Sequence, residues 1–236
     1  MKLLAPLLTA AVLAATAAAV WAADATPAAV PAAVGAAPAM AAEGAPAAAK
    51  ATPAAPFKPD LARGETLYGQ VCAACHGADG NSNVPTQPKL AQQHAQYLVK
   101  QLEEFKAGKR KNAIMQGMAS VLSEDDMKNI AFWLHSKAAK PGFAKDPELV
   151  AMGERLYRGG DAERGIPACA GCHSPNGSGI PVQYPRLSGQ LAEYTASTLT
   201  AFREGVRNNS VQMTGVAARM NDHDIKAVSD YIAGLR

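Results

Sequence analysis

The 236-residue sequence predicts an all-α chain in which one helical unit is used twice. The first ground for this is internal repetition. Gly64-Glu-x-Leu-Tyr68 returns as Gly153-Glu-x-Leu-Tyr157, and Pro88-Lys-Leu90 returns as Pro185-Arg-Leu187. Gln93, Tyr97, Leu102, Phe105, Gly108 and Arg110 return as Gln190, Tyr194, Leu199, Phe202, Gly205 and Arg207. Self-similarity at a fixed spacing marks a repeated structural unit. The second ground is that apolar residues recur at three- and four-residue steps, with no sustained alternation of the kind strands need. The third is that all four cysteines fall in two equivalent pentapeptides, one per half.

The N-terminus sets how much of the chain is folded. Lys2 precedes an apolar run from Leu3 to Val20, which closes on small residues suited to cleavage after Ala22. Residues 1–22 therefore read as a secretory signal peptide. The competing reading is a retained anchor, but the run is Ala-rich and short of the roughly 20 strongly apolar residues a span prefers. Residues 23–58 collapse to Ala and Pro, a composition that buries too little side chain to fold and stays extended. Such a leader suits either a tether to an envelope component or a solubilising spacer. Residues 59–140 and 141–236 are then two domains, each small enough that a covalently held apolar group would supply missing core.

Charge divides unevenly. Lys58–Lys140 carries eleven basic and eight acidic residues, whereas Pro141–Arg236 carries ten of each. Lys106, Lys109, Arg110 and Lys111 make the first domain the basic one, and such a run is either a solvated helix end or a patch that steers an acidic partner. Nothing in the pattern points to nucleic acid.

In chain order, Leu61, Leu67, Tyr68 and Val71 predict a helix over residues 61–75. Gly, Asn, Pro and Asp make residues 77–88 a loop. Tyr97, Leu98, Leu102 and Phe105 predict a helix over residues 92–106. Ser123, followed by Glu124, Asp125 and Asp126, predicts an N-cap, with a stripe of Met127, Ile130, Ala131, Trp133 and Leu134 behind it. Residues 138–147 read as the connection between halves. In the second half Asn221 takes the cap position, and Ile225, Val228, Tyr231, Ile232 and Leu235 form the stripe. The halves differ by a shift of 89 positions at Gly64/Gly153, 97 from Cys72/Cys169 to Arg110/Arg207 and 98 at Met115/Met213, so eight residues are inserted within residues 158–168 and one more before Met213.

The pentapeptides carry the chemistry. Cys72-Ala-Ala-Cys75-His76 and Cys169-Ala-Gly-Cys172-His173 each match C-x-x-C-H, the attachment signature of c-type haem. Two thiols form thioethers to the porphyrin, and the adjoining histidine reaches the iron. Disulfide pairing is the alternative use of four cysteines, but it leaves both histidines unexplained. So does a zinc site built from all four.

Candidate sixth ligands after His76 are Met115, Met118, Met127, His94 and His135. Aligning the halves pairs Met115 with Met213. Met118 faces Val216 and Met220 faces Leu122, so both are expected in the core; His94 faces Leu191 and His135 faces Ala233. Met115 and Met213 are thus the only repeated pair able to bind iron, the alternative being adaptable core methionines. His/Met ligation favours ferrous iron and fills both axial positions, which suits electron transfer rather than catalysis. Pro88 and Pro185, each twelve residues after its histidine, are expected to offer the carbonyl that orients the ring, or else simply to end the loop.

These residues resemble the class I cytochromes c, in which a glycine and an aromatic precede the haem motif and the proline of a P-x-L element bonds the haem histidine. Gly64, Tyr68, Pro88, Pro185, Leu90 and Leu187 match that pattern. H-G-x-x-G-N, P-K-L-A-x-Q, the Met-x-Gly segments and the ending S-x-Y-I-x-G-L together resemble the di-haem cytochrome c4 family over about residues 59–236. The second half departs at His173-Ser-Pro-Asn-Gly-Ser178. The resemblance implies two tandem class I cytochrome c domains carrying two covalently bound haem c groups, packed face to face with the propionates near the interface. It also implies a periplasmic carrier, often membrane-associated, taking electrons from a donor such as a quinol-cytochrome c reductase. The acceptor it implies is a terminal oxidase of the cbb3 or a similar type. Two competitors remain: a di-haem peroxidase, which needs a haem able to open, and a di-haem subunit of a dehydrogenase such as flavocytochrome c sulfide dehydrogenase.

Overall fold

In a computed structural model, residues 57–236 are described. The expected signal peptide and most of the Ala/Pro leader lie outside them. Ten helices follow one another: α1 (Leu61–Val71), α2 (Ala73–His76), α3 (Ala95–Lys106), α4 (Ala113–Ser120) and α5 (Glu124–His135), then α6 (Pro147–Gly159), α7 (Ala170–His173), α8 (Ala192–Arg203), α9 (Val211–Ala217) and α10 (Asp222–Gly234). Among the described residues the only β-pairing is two isolated bridges, Asp161 with Ile166 and Ile180 with Tyr184. The expected helix over residues 61–75 is two pieces. It breaks at Cys72 (φ −114°, ψ −32°), so the haem motif begins a new turn, α2. The next helix starts at Ala95, three residues later than its pattern suggests.

Each half closes by crossing its first helix on its last, α1 on α5 and α6 on α10. Glycine permits the crossing. A Cβ on Gly64 would lie 2.3 Å from the Asn129 carbonyl oxygen, and one on Gly153 would lie 2.2 Å from that of Ala227. Around these crossings sit two separate cores. One gathers Tyr68, Leu98, Phe105, Met127, Ile130 and Trp133; the other gathers Leu156, Tyr157, Leu199, Met220, Val228 and Ile232. Met220 is buried as expected, but Met118 is 41 % exposed, a correction to its expected place in the core. It lies on the outer side of α4, whose one buried residue is Ala119.

The expected caps form. Ser123 and Asp126 make a capping box at the start of α5, and Asn221 and Asp224 make one at the start of α10. In each box an arginine bonds the aspartate from elsewhere in the half. Arg63 of α1 reaches Asp126, with Nη2 2.6 Å from Oδ1. In the second half Arg164 does so, with Nη1 and Nη2 donating to Asp224 at 2.5 and 3.0 Å. Arg164 sits in the inserted segment, which folds as a small hairpin through the paired Asp161 and Ile166.

Candidate functional site

Each site is built on a four-residue turn carrying the motif, α2 directly after α1 in the first half and α7 beyond the hairpin that follows α6 in the second. Tyr68, fully buried, donates its hydroxyl to the Gly77 carbonyl at 2.7 Å, and Tyr157 donates to that of Ser174 at 2.7 Å. Both bonds hold the backbone just beyond the motif histidine. No disulfide joins the four cysteines; Cys75 and Cys172 are exposed, and Cys72 and Cys169 are half-buried. Burial, with Cys75 adding to it, pushes the Cys72 thiol up to about 11. Burial likewise pushes Cys169 up to about 11, with Cys172 adding. Both raised thiols are the first of their motif, set in an apolar wall. They also belong to separate cores, so a site built from all four does not assemble.

His76 and His173 are buried. The Nδ1 of His76 lies 2.9 Å from the Pro88 carbonyl oxygen, and that of His173 lies 3.0 Å from the Pro185 oxygen. A carbonyl only accepts, so each Nδ1 carries the proton and each Nε2 keeps its lone pair. Burial lowers the pKa of both rings, and the proline carbonyls oppose this only in part, so both are neutral at pH 7. The loops that bring the prolines into place are closed alike. Leu90 and Ala91 donate to the Gly80 carbonyl at 2.7 and 3.0 Å; Leu187 and Ser188 donate to that of Gly177 at 2.8 and 3.0 Å.

Met115 and Met213 are half-buried at the first turn of α4 and α9, each backbone N–H capped by a side chain three residues earlier (Asn112 and Ser210). Met115 packs on the same core as Cys72, Ala73 and Leu90, and Met213 on the same core as Cys169, Ala170 and Leu187. Each half therefore sets the first cysteine of its motif and a methionine on one apolar wall, with the second cysteine and a neutral, Nδ1-anchored histidine on the same short turn. That donor set fits a covalently attached haem. His94 and His135 lie apart from these walls as a pair with ring centroids 6.4 Å apart, His135 Nδ1 lying 3.0 Å from the Gln93 carbonyl oxygen.

Three features escaped sequence reasoning. Tyr184 meets the His173 ring edge-on at 5.9 Å, whereas Gln87 holds the corresponding place in the first half. Arg110 and Arg207 form a buried network between the halves: Arg110 bonds Gln101 and Tyr194, and Arg207 bonds Tyr97, Gln101 and Asn209. Gln93 and Gln190 reach across to the backbone after the opposite proline. Arg110, Arg207, Tyr97, Tyr194, Gln93 and Gln190 belong to the repeat, but neither periodicity nor spacing gives the partner of a side chain in another domain.

Comparison with known proteins places these sites in context. The family model described as cytochrome c matches residues 61–138 and again 150–236. Cytochrome c4 of Azotobacter vinelandii is 48 % identical over 191 residues, covering 74 % of this chain and 90 % of that protein. A thiosulfate dehydrogenase electron acceptor of Stutzerimonas stutzeri is 37 % identical over 188 residues, covering 74 % of this chain and 87 % of that protein. Among solved structures, reduced recombinant cytochrome c4 from Pseudomonas stutzeri superposes with a TM-score of 0.72 at 45 % identity, covering 76 % of this chain and all of that one.

Proposed function

The chain belongs to the cytochrome c4 family and carries two covalent haem c groups, and we propose that it is an exported electron carrier with a closed-shell haem in each half. The observation that carries this reading is the twofold occurrence of one donor set: an Nδ1-anchored histidine next to two thiols, and a methionine on the same apolar wall.

In this reading Cys72, Cys75, Cys169 and Cys172 form the thioethers. His76 with Met115, and His173 with Met213, would hold the two irons. Pro88 and Pro185 fix the tautomer and plane of each imidazole, so the ligand geometry is set before any electron arrives. When bound, the haem supplies a one-electron Fe(III)/Fe(II) couple. The chain's own part is to hold both axial donors and exclude water with the two apolar cores. With a histidine and a methionine holding each iron, there would be no open place for peroxide.

Export to the periplasm follows from the N-terminal pattern. A quinol-cytochrome c reductase as donor and a cbb3-type or similar terminal oxidase as acceptor are the partners we propose. Haem counting with optical spectra and a potentiometric titration tests the core of the reading. Two haems per chain, two one-electron steps and a thioether-to-iron band in the oxidised form are expected; one haem, or no such band, overturns it.

A second reading has a specific observation behind it. The likeness to thiosulfate dehydrogenase electron acceptors favours service to a sulfur-compound dehydrogenase, a role of the same kind as the flavocytochrome subunit considered from sequence. Reduction of the purified protein by such a dehydrogenase with thiosulfate, faster than by a quinol-cytochrome c reductase, would favour this second role.

A further inference from the structure

The two halves clasp each other by a pair of glutamines, and both glutamines land on one particular kind of peptide group. The amide joining Pro88 to Lys89 has its oxygen 2.9 Å from His76 Nδ1, and its N–H donates to Gln190 Oε1 at 2.9 Å. The amide joining Pro185 to Arg186 has its oxygen 3.0 Å from His173 Nδ1, and its N–H donates to Gln93 Oε1 at 2.9 Å. Each carboxamide is held at its other end too. Gln190 Nε2 donates to the Lys89 carbonyl and Gln93 Nε2 to the Arg186 carbonyl, both at 2.9 Å. Each Oε1 also accepts the N–H of the residue that follows it, Leu191 or His94, at 3.0 Å. Gln93 is only 7 % exposed. A glutamine that merely glued two surfaces could bond anywhere along these loops. Both choose the single amide that already bonds the motif histidine of the other half.

We propose that Gln190 and Gln93 are positioning residues for the iron-binding histidines of the opposite halves, Gln190 acting on His76 and Gln93 on His173. The proposal rests on the assignment of those histidines as axial ligands. An amide that donates its N–H is more polarised, and its oxygen is a stronger acceptor, by roughly 10–30 % per bond. A stronger acceptor at Nδ1 makes Nε2 a better donor, and outer partners of this kind tune the metal they never touch. A better donor favours ferric iron, so each glutamine holds down the potential of the centre it does not share a half with. The side chains of Lys89 and Arg186 take no part. Lys89 Nζ is turned to the Lys140 carbonyl at 3.0 Å and Arg186 Nη2 to Ser188 Oγ at 3.1 Å, so the clamp is read from the glutamines alone.

The test uses the full-length haem-loaded protein with Gln190→Leu and Gln93→Leu made singly. The two midpoint potentials are measured by titration, and the Nδ1–H resonances of the two histidines by NMR. Proximity to Tyr184, which lies beside His173 alone, assigns the resonances. Gln190→Leu is expected to raise the reduction equilibrium constant of the His76 centre about two- to threefold. That corresponds to about 20–30 mV at 59 mV per tenfold. It should also shift the His76 Nδ1–H while leaving the His173 centre nearly unmoved. Gln93→Leu should do the reverse. Gln190→Glu loses the donor to the Lys89 carbonyl but gives its N–H a charged, stronger acceptor, so it should move the His76 Nδ1–H in the direction opposite to Gln190→Leu; a purely mechanical clamp would be lost in both variants and move it the same way. Both centres moving together in each variant, the same-half centre moving, or neither moving would overturn the proposal. A wild-type protein lacking the thioether-to-iron band would instead overturn the ligand assignment beneath it, before any glutamine is changed.

Discussion

Replacing Gly153 with alanine tests the helix crossing on which the second site is hung. The added Cβ would sit 2.2 Å from the Ala227 carbonyl oxygen and 2.7 Å from Tyr231 Cβ. Neither neighbour is the free end of a flexible side chain, so α6 and α10 must part by about 1 Å, and a gap of 0.5–1 Å forfeits a quarter to a half of each packing contact. The faces that separate carry Leu149, Leu156 and Tyr157 on one side and Ile225, Val228 and Ile232 on the other. Burying such side chains contributes about 1.5–3 kcal/mol each, so losing part of it across several outweighs the ~1 kcal/mol that alanine gains over glycine in a helix. The net cost is about 2–4 kcal/mol, in line with overpacked cores. At ~2–4 °C per kcal/mol for a unit of this size, the melting temperature should fall by about 5–15 °C. Gly159→Ala is the matched control, on the same helix with nothing within 4 Å of its Cβ, and it should be neutral or slightly stabilising. Melts followed by far-UV circular dichroism on the haem-loaded protein would report both. Because α6 also carries Tyr157, whose hydroxyl holds Ser174, the variant should weaken the second site's thioether band before the first's. A Gly153→Ala protein that melts at or above wild type would refute the close approach.

Other outcomes follow from the same geometry. Met213→Leu should remove about half of the thioether-to-iron band, lower one of the two midpoint potentials and let the reduced protein bind carbon monoxide at one haem. Two unaltered potentials would show that Met213 is only a core filler. Arg164→Met should give a pH-dependent defect. Burial pushes the Asp224 carboxyl up, but the Arg164 guanidinium and the Asn221 N–H prevail and hold it below the usual carboxylate range. A carboxyl lowered in the folded state adds stability above its unfolded value of about 4, and loses it as pH falls through the folded value. Without Arg164 the burial of Asp224 is opposed by the Asn221 N–H alone, so the melting deficit should be largest at neutral pH and shrink as pH falls below the unfolded carboxyl's value of about 4. A deficit constant across that range would refute the pairing.

How much of this was legible in the sequence depended on the range of the interaction. Ser123 and Asn221 were readable as caps because a cap bonds a residue three positions away. Met115 and Met213 stood out because no other candidate ligand is repeated, and each packs on the core that also holds the first cysteine of its motif. Met118 was misplaced because substitution by Val216 in the other half says nothing about which way a helix turns. The break at Cys72 was hidden because the apolar spacing of α1 runs smoothly into the motif. Arg164 gave no signal at all. Its partner is sixty positions away, and the arginine that serves the first half, Arg63, comes from a different element. Gln93 and Gln190 were visible as repeated letters, but the contact each makes lies in the half that does not contain it.

The glutamine clasp is also symmetric. Each side of it uses the same two positions, the amide after a loop proline and a glutamine a few residues on, so the patch is complementary to itself. Self-complementary patches are what twofold homodimers are made from. Each half therefore has both components needed to pair with a second copy of the same surface. The short connection around residues 138–146 makes permanent a pairing that separate halves would reach only by mass action. The halves are not identical around it: the hairpin bearing Arg164 and the ring of Tyr184 beside the motif histidine belong to the second half alone.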